Sequence, residues 1–148
     1  MPTHCTLRIR RLDERGVIPK THSDGAAGLD LSACLDQPTT INPGEIHVCP
    51  TGIAIAVPVG FEGQVRPRSG LACKMGVTVV NAPGTIDSDY RGEVRVGLIN
   101  LGREPFTIEH HMRIAQLVIA PVATCIIQQT GELDATPRGA AGFGSTGL

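Results

Sequence analysis

Short runs in which apolar and polar residues alternate occur along most of the chain, and such runs predict β-strands that present one face to a core. The runs recur at intervals of about ten residues, and the glycines and prolines between them mark turns. Residues 114–122 form a longer, nearly all-apolar run, which is typical of a fully buried strand. The pattern predicts an all-β sandwich or barrel. The alternating runs centre on Leu7 and Ile9; Ile53, Ile55 and Val57; Val65; Val77 and Val79; Val94, Val96 and Leu98; and Phe106 and Ile108.

One stretch departs from this pattern and predicts one or two turns of helix. Residues 69–76 combine a serine suited to capping, helix-forming residues and a glycine at the C-terminal end. Arg66 and Arg68 precede it, and a helix start offers free backbone N–H groups to an anion. The residues alone leave two interpretations open. The segment could bind phosphate, or Ser69 could merely cap the helix while the arginines are solvated.

A second candidate site lies in residues 81–94, where Gly84 and Gly92 bracket a predicted hairpin. The segment contains Asp87, Asp89 and the chain's only tyrosine. If Asp87 faced inward among apolar residues, its carboxylate would be costly unless it were hydrogen-bonded or functional. Both aspartates could instead be ordinary turn formers.

Size, charge and cysteine content narrow the classes of function. A chain of 148 residues suits one domain, and a net charge of −1 argues against bulk binding to nucleic acid or to an anionic membrane. No run approaches the ~20 apolar residues of a membrane span, and the N-terminus lacks the apolar stretch of a signal peptide. The five cysteines have no metal-binding spacing. We therefore expect reduced cysteines, several of them buried, in a soluble cytoplasmic protein.

Five segments of the chain occur in a characteristic order. They are AAGLDLSA at 26–33, RPRSGLA at 66–72, NAPGTIDSDYRGEV at 81–94, RIAQLVI at 113–119 and RGAAGFGSTG at 138–147. This set resembles the five ordered motifs of the trimeric dUTP pyrophosphatases, the dUTPase family. The resemblance implies a jelly-roll-like β-barrel with one short helix and an extended C-terminal arm. It further implies that residues 1–136 form the barrel, including a strand exchanged with a neighbouring subunit, and that residues 137–148 form a flexible lid.

The resemblance also implies a reaction. Enzymes of this family convert dUTP and water to dUMP and pyrophosphate with Mg²⁺, which keeps uracil out of DNA and supplies dUMP for thymidylate synthesis. Water attacks the α-phosphate in line, and Asp87 matches the catalytic aspartate that activates this water. Asp30 matches the aspartate that contacts Mg²⁺ through bound water, although it could instead only brace the fold.

The remaining matched positions imply substrate contacts in a site shared between the subunits of a homotrimer. Tyr90 would pack under the deoxyribose and leave no room for a 2′-hydroxyl. In the tail, Phe143 would stack on uracil and Arg138 would reach the γ-phosphate. The phosphate-binding positions are Arg68, Ser69, Gly70 and Gln116; those that surround the base are Asn81, Thr85, Ile86 and Arg95; and further phosphate donors in the tail are Gly144, Ser145 and Thr146.

Two alternatives remain open from the sequence. A dCTP deaminase, or a bifunctional deaminase and pyrophosphatase, would share the fold, but the PRSGLA segment and the aspartate at position 87 favour the pyrophosphatase. A non-catalytic nucleotide sensor could use the same pocket. All matched site residues are present, so the sequence gives no sign of a decayed active site.

Overall fold

The fold is built from ten strands and one short helix in a computed structural model that describes residues 4–142 and residue 144. The strands are β1 (Arg8–Arg11), β2 (Leu29–Ser32), β3 (Thr39–Ile41), β4 (Ile46–Ala56), β5 (Phe61–Arg66), β6 (Val77–Val79), β7 (Gly84–Ile86), β8 (Glu93–Asn100), β9 (Phe106–Ile108) and β10 (Arg113–Pro121). The helix spans Leu71–Met75 and is a single π-helical turn.

The strands form two four-stranded antiparallel sheets and a small third sheet. The first sheet has the order β1-β4-β8-β6, the second has the order β2-β10-β5-β7, and β3 pairs with β9. The described strands do not close into a continuous barrel, yet the jelly-roll-like, mostly β fold that the sequence predicts is confirmed.

The core lies between the sheets and is filled by Val, Ile, Leu and Ala side chains. Strand β8 shows how the alternating pattern produces it, since Val94, Val96 and Leu98 are buried while Arg95 between them is exposed. The strand predicted from 114–122 is β10, and it lies inside the second sheet with a partner on each side. This central place explains why its sequence is nearly all apolar.

The predicted hairpin around Asp87 is wrong in one respect. Strand β7 pairs with β5, whereas β8 pairs with β4 and β6. The strands on either side of Asp87 therefore belong to different sheets, and the segment 87–92 is a connection between sheets. The sequence pattern shows two strands and a turn, but it carries no information about which partners the two strands choose.

The C-terminal end of the short helix is as its sequence predicts, but the N-terminal end is not. Gly76 adopts a left-handed conformation at φ 72° and donates its N–H to the carbonyl of Ala72, which closes the last turn. No side-chain hydrogen bond caps the start of the helix, so the predicted cap by Ser69 is wrong.

The chain after β10 lies outside the sheets. Every residue from 121 to 140 is exposed, and no strand or helix forms in residues 122–142. This segment, which we call the arm, includes apolar side chains that are almost fully accessible: Ile126 is 95% exposed, Ile127 94% and Leu133 86%. Among the described residues, no helix is long and apolar enough to cross a membrane.

The five cysteines are all free, and Cys34 and Cys49 are buried. Burial raises the pKa of both thiols, that of Cys49 to about 12. At neutral pH these two cysteines therefore stay protonated and act as small apolar side chains, as the sequence interpretation expects.

One buried polar side chain at the end of β8 ties the connection after β8 to the end of β3. Asn100 has no exposed surface. Its Nδ2 donates to the carbonyls of Ile41 at 2.9 Å and Glu104 at 2.8 Å, and its Oδ1 accepts the N–H of Gly102 at 2.8 Å. Both N–H donors and the oxygen of this amide are used, and each partner is a backbone group.

We predict that Asn100→Ala lowers the free energy of unfolding by about 3 kcal/mol, because it leaves three buried or partly buried backbone groups without their partners. Urea unfolding at fixed protein concentration measures the change. The matched control is Asn42→Ala, whose amide binds only the exposed carboxylate of Glu45. Equal effects of the two substitutions would contradict this account.

Candidate active site

Three neighbouring strands bring three distant motifs side by side. Because β10 lies between β2 and β5, Gln116 on β10 lies opposite both Asp30 on β2 and Arg66 on β5. Residues directly opposite one another in an antiparallel pair present their side chains on the same face of the sheet. A polar row therefore crosses the second sheet, made of residues that are up to 86 positions apart in the chain.

Asp30 lies at the centre of a cluster of basic side chains. Its carboxylate accepts from Nη1 of Arg113 at 3.2 Å. Nε of Arg68 lies within ion-pair distance at 3.3 Å, and His22 Nε2 lies 2.5 Å from Oδ2. Only 16% of the Asp30 side chain is exposed, which strengthens these charge interactions. Asp30 thus fixes the position of the two arginines and compensates part of their charge.

Gln116 is held in one position by its backbone surroundings. Its Nε2 donates to the carbonyl of Pro67 at 2.9 Å. On the other side it packs against Gly28, where an added Cβ would collide with Oε1 and lie 3.2 Å from the side-chain Cδ. The glycine of the first motif therefore makes room for the glutamine of the fourth motif.

These residues surround a cavity of about 370 Å³, which we call the anion cavity. It combines two arginines and a histidine with a single described acid, and the loop before the short helix forms one wall. Its lining residues are His22, Ala26, Ala27, Gly28, Asp30, Arg66, Arg68, Ser69, Gly70, Gln116 and Val118. The predicted phosphate-binding residues Arg68, Ser69, Gly70 and Gln116 all belong to it.

A second cavity, of about 190 Å³, lies beside the connection between β7 and β8, and we call it the loop cavity. Of the predicted site residues, it contains the catalytic aspartate and four of those expected to contact base and sugar. Its lining residues are Thr85, Ile86, Asp87, Tyr90, Glu93, Val94 and Arg95.

Two contacts hold the Tyr90 ring against the connection that carries it. The hydroxyl donates to the carbonyl of Glu93 at 2.8 Å. The ring lies across Gly92, where an added Cβ would approach the ring carbon Cζ to 2.7 Å. Tyr90 remains 44% exposed, so part of its surface is accessible to a ligand.

Asp87 is exposed, so its carboxylate is not buried in the apolar core. Its backbone carbonyl accepts the N–H of Tyr90 at 3.1 Å, which closes the turn between them. Asp87 also borders a wider cavity of about 660 Å³, which includes Glu62 and Asp89. The carboxylate is therefore open to water and to a ligand on two sides.

Arg95 is oriented by its neighbour on β8. Glu93 accepts from Arg95 Nε at 2.9 Å, and its other oxygen accepts the backbone N–H of Gly52 at 2.9 Å. This carboxylate anchors β8 to β4 and aims Arg95 at the loop cavity.

The remaining predicted residues do not join these cavities. Asn81 lies in the turn after β6 and lines neither cavity. Arg138 donates to the carbonyl of Ala141 within the tail at 2.9 Å, and Gly144 has a left-handed backbone at φ 85°. Phe143, Ser145 and Thr146 lie outside the described residues.

The anion cavity and the loop cavity share no lining residue within one chain. One copy of the protein therefore presents two separate cavities, one lined by basic side chains, the other with a carboxylate and an aromatic ring.

The structure adds residues that sequence reasoning did not select: His22, Arg66, Glu93 and Arg113. Arg113 begins the fourth motif, and Arg66 begins the second, so both had a signal in the sequence. His22 has none, because its approach to Asp30 depends on the path of a loop.

The described residues do not form a metal cage. Among them, no group of three or more His, Cys, Asp or Glu side chains could hold an ion. Asp30 is the only described acid that lines the anion cavity, and its oxygens already lie within ion-pair distance of basic side chains. This donor set suits Mg²⁺ only as an ion that arrives on substrate phosphates and keeps its own waters.

Known proteins of one family match this chain over almost its whole length. The sequence model of the dUTPase family matches residues 14–147. The deoxyuridine 5′-triphosphate nucleotidohydrolase of Desulfotalea psychrophila is 63% identical over 131 residues, which cover 88% of this chain and 87% of that protein. The enzyme of the same name from Rickettsia felis is 53% identical over 147 residues, which cover 99% of each chain.

Solved structures agree with the fold. The dUTPase of Staphylococcus bacteriophage 80alpha, a single-residue mutant with bound dUpNHpp, superposes with a TM-score of 0.88 at 26% identity and covers 97% of this chain and 99% of its own. A mutant dUTPase of the S. aureus phage phi11, described with a structural Mg(II) ion, has a TM-score of 0.79 at 24% identity; the match covers 86% of this chain and 98% of its own. The likeness of sequence, of fold and of the residues gathered in the two cavities leads to one conclusion: this chain is a member of the dUTPase family.

Proposed function

We propose that this chain hydrolyses dUTP to dUMP and pyrophosphate by attack of water on the α-phosphate. The observation that carries the proposal is the pair of half-sites: a basic cavity for phosphates, and a separate cavity with a carboxylate and an aromatic ring. Its relatives at 53–63% identity bear the name of this activity. The dUTPase of phage 80alpha was solved with the analogue dUpNHpp.

In the proposed complex, the anion cavity receives the triphosphate. Arg68 supplies a planar guanidinium for paired hydrogen bonds to phosphate oxygens, and Ser69 and Gly70 offer a hydroxyl and backbone N–H groups. Gln116, fixed by Pro67 and Gly28, donates or accepts at the inner wall. Arg68 and Gln116 are held by their neighbours before the ligand arrives, so less side-chain entropy is lost when it binds.

Asp87 is the proposed general base. Its carboxylate takes a proton from water as the water oxygen bonds to the α-phosphorus, and the bond from that phosphorus to the bridging oxygen breaks. Pyrophosphate leaves with the electron pair of that bond. A carboxylate is a weak base at neutral pH, so much of the rate must come from positioning and from cations around the phosphates.

The loop cavity is the proposed place for uracil and deoxyribose. Thr85 and Ile86 would face the base through their backbone, and Arg95 would border it. Asn81 lies outside this cavity, and its contact with the base stays a prediction. The Tyr90 ring would pack under the sugar, where a 2′-hydroxyl finds neither space nor a partner. Such a buried mismatch gives strong discrimination.

Magnesium is proposed as a partner of the substrate. Bound to the triphosphate, it would neutralise charge on the phosphate oxygens. Asp30 is the carboxylate that would meet this ion through water. The structural magnesium reported for the phi11 enzyme is a property of that protein.

A homotrimer with shared sites is the proposed assembly, and the separation of the two half-sites supports it. Strand β1 is at the edge of its sheet with β4 as its single described partner, and the exposed apolar arm needs a surface to cover it. We propose that residues 1–136 form the barrel together with an exchanged strand, and that residues 137–148 close over the nucleotide through Arg138, Phe143, Gly144, Ser145 and Thr146. A cytoplasmic location remains a prediction.

Asp87→Asn is expected to reduce kcat for dUTP by about 10²- to 10⁴-fold, because the amide cannot accept the proton of the attacking water. Binding of dUMP or of a non-hydrolysable dUTP analogue is expected to stay within about threefold, since the shape of the side chain is kept. Pyrophosphate release and calorimetry measure the two properties.

The matched control for that change is Asp89→Asn, an exposed aspartate two residues away that has no assigned role. It should leave turnover near that of the wild type. An equal loss in both variants would point to the charge of the connection as a whole and would refute the assignment of the base to Asp87.

Gly92→Ala is expected to reduce the preference for dUTP over UTP by about tenfold, since an added methyl displaces the Tyr90 ring from its place. The ratio of kcat/KM for the two nucleotides measures this. Gly131→Ala is the control, because an added Cβ there meets no atom within 4 Å. A variant that loses activity on both nucleotides in equal proportion would show that the position has no part in sugar selection.

A chain that ends at Thr136 is expected to lose about 10²-fold or more in kcat/KM for dUTP, because the lid no longer excludes water from the site. The truncation leaves all ten strands intact, so its unfolding transition should match that of the full chain. Full activity in the truncated chain would eliminate the lid and leave the hydrolase.

A further inference from the structure

The charges of the anion cavity are unequally compensated. The Asp30 carboxylate lies within ion-pair distance of Arg68 and Arg113, so part of the charge of those two arginines is already neutralised inside the protein. Arg66 is different. In the described part of the chain, no carboxylate lies within 4 Å of its guanidinium. It is therefore the arginine of this cavity whose full charge is available to a ligand.

Arg66 also lies at a position from which it can reach a ligand in the anion cavity. It ends β5 directly opposite Gln116 on β10, and both side chains line the anion cavity. The same two residues border a neighbouring cavity of about 480 Å³, next to Pro67, Ala82 and Pro83. Arg66 thus lies where the anion cavity opens towards further space, beyond the residues that the family motif assigns to phosphate.

The guanidinium is held in position before any ligand binds. Nε donates to Gln64 Oε1 at 2.9 Å, and Nη2 donates to the same oxygen. Gln64 is fixed in turn, because its Nε2 donates to Glu62 Oε1 at 2.7 Å. An arginine has five N–H donors, and this clamp uses two of them. The rest, on the Nη atoms, remain for an anion, and less side-chain freedom is lost when one binds.

We propose that Arg66 is an additional polyphosphate ligand that binds the pyrophosphate portion of the substrate and retains the pyrophosphate product. Gln64 is its positioning residue, which aims the guanidinium without touching the ligand. The inference rests on the proposed function, in which the anion cavity receives the triphosphate. It adds an arginine that no matched position of the family pattern assigns.

The test uses the full chain and two probes, dUTP turnover and calorimetric binding of inorganic pyrophosphate and tripolyphosphate. Arg66→Gln is expected to weaken both inorganic anions and to raise KM for dUTP, each by about tenfold, as the loss of a charged hydrogen bond implies. The value of kcat should change by less than about threefold, because a contact to the terminal phosphate, away from the breaking bond, is nearly the same in the ground and transition states.

Two further variants separate this role from a general effect of charge. Arg103→Gln removes an exposed arginine between β8 and β9, outside both cavities, and should change neither probe. Gln64→Met keeps the charge of Arg66 but removes its clamp, and should weaken tripolyphosphate by about threefold through lost preorganisation. Arg66→Lys should recover part of the affinity, since it restores charge without the planar fork.

Each result decides between the two proposals. If Arg66→Gln behaves as Arg103→Gln does while the wild type hydrolyses dUTP, the inference is overturned and the proposed function stands. If the wild type binds tripolyphosphate through Arg66 but turns over no dUTP, the anion site stands and the hydrolase is refuted. A fall in kcat as large as the rise in KM would also overturn the inference, because Arg66 would then act on the reacting phosphorus.

Discussion

The central position of β10 is the constraint on which the anion cavity depends. Its hydrogen bonds to β2 on one side and β5 on the other fix the register that places Gln116 between Asp30 and Arg66. A shift of one residue would turn Gln116 into the core and bring an apolar neighbour to the surface. The apolar sequence of β10 secures the register, because Ile114, Ala115 and Leu117 are fully buried. Packing of the core thereby determines the chemistry of the surface.

A carboxylate in a cavity proposed to bind phosphate would at first be expected to weaken binding. Asp30 acts differently, because it lies within reach of two guanidinium groups and holds them at a fixed separation. Two free arginines would repel each other and lose side-chain freedom when a ligand ordered them. With the acid between them, the two arginines are ordered when the chain folds, and their repulsion is reduced before a ligand binds. The arrangement exchanges some net charge for a cavity whose shape exists before the ligand arrives.

The motifs, and the strands in which apolar and polar residues clearly alternate, could be predicted from the sequence. The register in which those strands pair could not. Strand β8 follows from its pattern alone, whereas β3 (TTI) and β7 (GTI) each contain a single apolar residue, so no alternation shows in them. The approach of Gly28 to Gln116 depends on a strand pairing across most of the chain. So does the ion pair of Asp30 with Arg113, which lies beside a register shift in β10. Residue types indicated the chemistry, and tertiary pairing decided which residues meet.

The division of the residues into two cavities within one chain has a genetic and a kinetic consequence. Suppose that each complete site takes its catalytic carboxylate from one copy and its phosphate ligands from another. A chain with a defective loop cavity can then be complemented by a chain with a defective anion cavity. Assemblies that mix the two inactive chains would regain some working sites, and random mixing of the chains would determine the fraction. A single defective copy would conversely impair sites on its neighbours. Turnover per chain would also fall on dilution below the dissociation constant of the assembly, so that enzyme abundance itself becomes a control on specific activity.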